Sequence, residues 1–165
     1  LEMLVRLTGA MRALEIGTFT GYGAIRIARG LAPDGSLTCF ELDGERAAVA
    51  RANLDEAGVG EKVEIVVGPA IEGLRALPDE AAVDFAYIDA DKTGYPDYYE
   101  EIVRRLAPGG LLAIDNVLMG GRILDTDPDE GTAAMQILND RIMEDDRVDS
   151  VMLGMADGLT LVRRR

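Results

Sequence analysis

Four residues in the second half of this sequence carry side chains suited to one task. Asp89 and Lys92 stand three residues apart in "IDADK", and Asp115 is followed directly by Asn116 in "AIDNV". Two carboxylates and an amide oxygen form an all-oxygen donor set, which selects a hard divalent cation: magnesium first, with calcium or manganese as alternatives. Zinc prefers nitrogen and sulfur ligands, and the chain has no histidine and a single cysteine, Cys39. The lack of histidine also removes His-based triads and histidine general bases, leaving proton transfer to carboxylate, lysine or tyrosine. Lys92 is the best placed of these. Beside a divalent cation and an apolar wall its neutral form is favoured, so it could work as a base near neutral pH. Each residue has a plain structural alternative: a cap for Asp89, a turn for Asp115-Asn116, and a solvated loop lysine for Lys92.

A second group opens the chain. "LEIGTFTGYG", Leu14 to Gly23, places glycines at 17, 21 and 23, which is not the G-x-G-x-x-G of dinucleotide sites. Glycine lets the backbone approach a ligand closely, and the start of the following helix offers free N–H groups. That much says only nucleotide-like. Glu15, ahead of the first glycine, would repel a diphosphate and suits a cationic or amine-bearing cofactor. Glu41 ends the next apolar run, a position from which an acid can accept both hydroxyls of a ribose. Together the two acids point to an adenosyl group without phosphates, S-adenosylmethionine.

The elements that must position these residues are short apolar runs separated by amphipathic segments. "RALEIG" at 12–17, "LTCFEL" at 37–42, "VEIVVG" at 63–68, "DFAYID" at 84–89 and "GLLAID" at 110–115 read as buried strands. Helical patterns run from Tyr22 to Leu31, Glu45 to Ala57, Ile71 to Leu77 and Pro96 to Leu106. This alternation predicts a parallel sheet with helices on both faces. Asp34-Gly35, Gly58 and Pro108-Gly109-Gly110 punctuate it where helices should end and strands begin. The tail departs from the rhythm. A helix in "GTAAMQILNDRIMEDD" is followed by "RVDSVMLG" and "LTLVRRR" around an Asp-Gly-containing turn, so an antiparallel hairpin closes the sheet. In an open sheet of this kind ligands bind beyond the carboxyl ends of the strands, where Glu15, Gly17, Glu41, Gly68, Asp89, Asp115 and Asn116 all fall.

Composition bounds the rest. A chain of 165 residues, 48% hydrophobic, is the usual size of one domain, and 1–165 is read as one. A net charge of −13 opposes extended contact with nucleic acid or an anionic membrane. Arg163-Arg164-Arg165 reads as a solvated tail, Cys39 as core, the acidic stretch Asp125 to Glu130 as a surface loop, and Met119, Met143, Met152 and Met155 as filler. No signal peptide or membrane span is visible, so a cytoplasmic location is expected.

"ALEIGTFTGYGAIRIA", "CFELD", "YIDADKTGYPDYYE" and "LLAIDNVLMGGRI" resemble the metal-dependent class I O-methyltransferases of the catechol and caffeoyl-coenzyme A group, along nearly the whole chain. The resemblance implies a Rossmann-like, mostly parallel seven-stranded α/β sheet. It implies S-adenosylmethionine held by Glu15, Gly17, Phe19, Tyr22, Gly23, Glu41, Leu42, the Gly68-Pro69-Ala70 turn and Asp89. A divalent metal on Asp89, Asp115 and Asn116, with Lys92 as base and a small catechol-like phenol as substrate, completes the implied site. In the mechanism the resemblance implies, the cation would make a vicinal hydroxyl of the substrate more acidic, Lys92 would take its proton, and the oxygen would attack the sulfonium methyl in line. Two departures stand out. Gly23 occupies a place where a serine often follows the tyrosine, removing a hydroxyl. Relatives also usually carry further helices ahead of "LEMLVRLTG", which cover the site and contribute to homodimers, whereas this sequence starts almost at its first strand. A nicotinamide dehydrogenase would lack its glycine spacing here. The alternative of a non-catalytic or incomplete cofactor-binding module leaves Asp89, Lys92, Asp115 and Asn116 without a purpose.

Overall fold

The computed structural model describes residues 1–79 and 82–165. Seven strands form one sheet: β1 (Arg12–Ile16), β2 (Ser36–Glu41), β3 (Val63–Val67), β4 (Val83–Ile88), β5 (Leu106–Asp115), β6 (Val148–Leu153) and β7 (Leu159–Arg164). Their spatial order is β3-β2-β1-β4-β5-β7-β6. The first five run parallel and β7 pairs antiparallel with both β5 and β6, as the alternating and then hairpin-like sequence predicted. Strand order reverses between β1 and β4, which opens a crevice at their carboxyl ends.

Among the described residues six α-helices flank the sheet: α1 (Glu2–Thr8), α2 (Tyr22–Gly30), α3 (Gly44–Glu56), α4 (Ala70–Ala76), α5 (Tyr95–Val103) and α6 (Glu130–Glu144). Local chemistry sets several of their starts. Gly21, at φ 90°, opens α2 in a conformation that suits glycine. Asp43 caps α3 by accepting from Glu45 N at 2.8 Å and Arg46 N at 3.1 Å, and Asp129 caps α6 by accepting from Thr132 N at 2.7 Å. Two cores result. One, on the face of α4, α5 and α6, gathers Ile16, Phe40, Ile88, Tyr95, Leu112 and Leu138; the other gathers Val5, Ile27, Cys39, Leu54, Phe85 and Tyr87. Burying each large apolar side chain contributes about 1.5–3 kcal/mol, so these faces hold the strand ends in fixed relative positions.

Three local readings need correction. The helix expected from Pro96 to Leu106 stops at Val103, and Leu106 already belongs to β5, paired with Val83. Pro108-Gly109-Gly110 is not a turn ahead of the strand but a bulge within it, where pairing jumps from Val83–Leu106 to Phe85–Leu111. The opening "EMLVRLT" forms α1, which buries Val5 and ends at Gly9 with φ 64°. Among the described residues no helix is long and apolar enough to cross a membrane.

Candidate active site

Beyond the carboxyl ends of β1, β2 and β4 lies a cavity of about 700 Å³. Gly17, Phe19, Glu41, Leu42, Gly68, Ala70 and Asp89 all border it, together with Arg46, Asp91 and Tyr98. Backbone bonds hold its rim together: Gly17 N donates to Phe40 O at 3.0 Å, Asp89 N to Ile16 O at 2.9 Å and Gly68 N to Glu41 O at 2.9 Å. Gly17 sits at φ 91°, and a side chain there would overlap the Asp89 carbonyl oxygen. Only glycine lets β1 and β4 close on the cavity floor in this way. Phe19 is itself held at φ 51°, an arrangement that costs a residue with a side chain about 1–3 kcal/mol and is common at ligand clamps.

Glu41 is buried and accepts from Phe19 N at 2.7 Å through one oxygen and from Asp43 N at 3.0 Å through the other. Each carboxylate oxygen has a second lone pair, so the group keeps capacity to accept from a ligand in the cavity. At the cavity rim, the Arg46 guanidinium lies over the Phe19 ring, 5.3 Å from its centre.

Glu15 takes a different place. It lies opposite Cys39 in the pairing of β1 with β2, and the buried thiol donates to Glu15 Oε2 at 3.3 Å. Burial is the main cause that pushes its carboxyl up to about 8, above the ordinary 4.5. Burial therefore favours the neutral form of a carboxyl that the sequence reading treats as charged. Gly23, in the first turn of α2, packs against it: a Cβ there would overlap Glu15 Oε1. The missing side chain makes room for the acid.

A second cluster adjoins the cavity through Asp89. Lys92 Nζ donates to Asp89 Oδ1 at 3.2 Å, Asn116 Oδ1 at 3.0 Å and Tyr95 Oη at 2.5 Å. It also lies 4.5 Å from the centre of the Tyr95 ring. Asp91 shapes the turn that carries the lysine, accepting from Gly94 N at 3.0 Å and Tyr98 Oη at 2.6 Å. Asn116 adopts φ 60°, a left-handed conformation that asparagine tolerates, just past the end of β5. Asp115 accepts from Asn116 N at 2.8 Å and from Tyr87 Oη at 2.6 Å. Among the described residues no three His, Cys, Asp or Glu side chains gather at one point, so the oxygen set depends on the amide of Asn116. Two of its members, Asp89 and Asn116, already bracket a cation in the form of the Lys92 ammonium, and this fits a hard ion held by oxygen.

The O-methyltransferase family matches residues 1–165. The chain belongs to the O-methyltransferase family. It is 37% identical over 169 residues to a catechol O-methyltransferase of Niastella koreensis, covering 98% of this chain and 76% of that protein. Caffeoyl-CoA O-methyltransferase 2 of Zea mays is 34% identical over 177 residues, covering 99% of this chain and 66% of that one. Among solved structures, the O-methyltransferase TomG of Streptomyces achromogenes, in complex with S-adenosylmethionine, superposes with a TM-score of 0.94 at 35% identity, covering 99% of this chain and 77% of that one.

Three of the expected cofactor residues, Glu15, Tyr22 and Gly23, are not among the residues that border the cavity of this O-methyltransferase. Tyr22 is largely exposed and borders a separate depression with Thr20, Ile25, Asn53 and Glu56. Arg46, Asp91 and Tyr98 line the cavity without having been singled out in the sequence. Arg46 had a readable signal, the first turn of a helix capped directly after the Glu41 strand. Tyr98 had none, because only the packing of α5 brings it to Asp91.

Proposed function

We propose that this chain transfers the methyl group of S-adenosylmethionine to one hydroxyl of a small catechol-like phenol, with a divalent cation, magnesium first, as second cofactor. The observation that carries this reading is the meeting of Asp89 and Asn116 oxygens on Lys92 Nζ beside the cavity, with Asp89 shared by both. Residues 1–165 act as one catalytic domain.

Gly17 lets the backbone close on the methionine part of the cofactor, Glu41 accepts from the ribose hydroxyls, and Leu42 and Ala70 form apolar walls for the base. Asp89, Asp115 and Asn116 would hold the cation. When bound, the two groups supply an electrophilic methyl and stabilisation of a phenolate oxygen. Lys92 takes the proton of the acceptor hydroxyl on its Nζ. Asp89, Asn116 and Tyr95 then hold the resulting ammonium in the arrangement described above. Positioning and exclusion of water supply most of the remaining acceleration.

Calorimetric titration with S-adenosylmethionine, followed by methyl transfer to catechol with magnesium and then with chelator, tests the proposal. Binding and magnesium-dependent turnover support it. Turnover that survives chelator removes the cation, and binding without turnover on any catechol leaves only a cofactor-binding module.

A further inference from the structure

Tyr87 is almost fully buried on β4, yet its hydroxyl is not spent on the core. Tyr87 pairs with Ala113 of β5, so Asp115, two residues further along β5, projects from the same face of the sheet, a diagonal neighbour within reach of a tyrosine side chain. Tyr87 Oη donates to Asp115 Oδ2 at 2.6 Å while Asn116 N donates to Asp115 Oδ1 at 2.8 Å. Both carboxylate oxygens are thereby fixed, and the carboxylate cannot rotate without breaking a charge-assisted bond. Among the described residues Tyr87 bonds no other carboxylate, whereas Asp89 and Asn116 are tied together by Lys92, which is held in turn by Tyr95.

We propose that Tyr87 is a positioning residue that orients the Asp115 carboxylate for a divalent cation, and that this hydroxyl sets the cation affinity of the site. The inference rests on the reading of Asp89, Asp115 and Asn116 as the cation-holding set. Groups that orient a ligating carboxylate typically change metal affinity by about 10- to 100-fold when removed. Phenylalanine keeps the ring that packs between the sheet and its helices and deletes only the donor.

The test is manganese binding to the full chain, read from the free-ion signal in electron paramagnetic resonance, for wild type, Tyr87→Phe and Tyr99→Phe. Tyr99, on α5, donates in the same manner to Asp145, the residue that follows α6, at 2.9 Å, and controls for loss of a buried tyrosine hydroxyl. The expected result is a dissociation constant for manganese raised about tenfold or more in Tyr87→Phe alone. S-adenosylmethionine affinity and melting temperature should stay close to wild type. Unchanged manganese affinity in Tyr87→Phe overturns the proposal. A parallel loss of manganese affinity, cofactor affinity and thermal stability also overturns it, because the hydroxyl would then hold the fold. Wild type that binds no manganese or magnesium rejects the cation-holding set itself, an outcome distinct from both.

Discussion

Lys92 Nζ lies 3.0 Å from Asn116 Oδ1, joining the turn after β4 to the turn after β5 across the edge of the candidate cofactor cavity. The same nitrogen reaches Asp89 and Tyr95, so one side chain ties together the strand ends proposed to hold the cation.

Replacing that nitrogen with an isosteric apolar group gives the first prediction. Lys92→Met should lower methyl transfer by about 10²- to 10⁴-fold, the usual contribution of a positioned base. Cofactor affinity should stay within a few fold. Initial rates on catechol and calorimetry on the same preparation measure the two quantities; undiminished turnover removes Lys92 from catalysis.

Asp115 does not border the cofactor cavity, and its carboxylate faces Tyr87 and Asn116 N. Asp115→Ala should therefore abolish magnesium-dependent turnover while leaving S-adenosylmethionine affinity within a few fold. Loss of cofactor binding in this variant would assign the residue to the fold.

Glu41 presents the opposite case, since it borders the cavity and anchors Phe19 N. Glu41→Ala should weaken S-adenosylmethionine binding by about 1–3 kcal/mol, the range for losing hydrogen bonds to a charged group. Titration calorimetry reads this directly, and an unchanged affinity takes Glu41 out of the cofactor site.

Glu15 carries a pH signature. Its carboxyl is pushed up to about 8, first by burial, so the folded chain keeps a proton that the unfolded chain releases near the ordinary 4.5. The stability tied to this proton is complete below the ordinary value and is lost as pH rises through about 8. Glu15→Gln, which cannot titrate, should gain in melting temperature relative to wild type as pH is raised across that window. Scanning calorimetry of both proteins gives the difference, and a difference independent of pH would show that Glu15 is not buried as a neutral acid.

The strands that carry the site were legible because β1, β2 and β4 are short apolar runs largely buried in the sheet, and the polar residues that close them stand out against it. The same contrast marked Glu15, Gly17, Glu41, Asp89, Asp115 and Asn116 one by one. The end of α5 was hidden because Arg104 and Leu106 continue a helical pattern, while the pairing of Leu106 with Val83 draws the chain into β5. Helix propensity is a weak force beside a strand partner.

By itself, then, the sequence determined the alternation of strands and helices and the family resemblance, because periodicity and local motifs are properties of neighbours along the chain. The tertiary structure alone decided that Glu15 is enclosed with the Cys39 thiol, that Tyr22 borders a separate depression, that Arg46 and Tyr98 join the rim, and that Tyr87 meets Asp115. Those relationships depend on strand order and register. A diagonal pair across β4 and β5, or a carboxyl opposite a thiol across β1 and β2, exists only once the sheet has fixed which residues lie side by side.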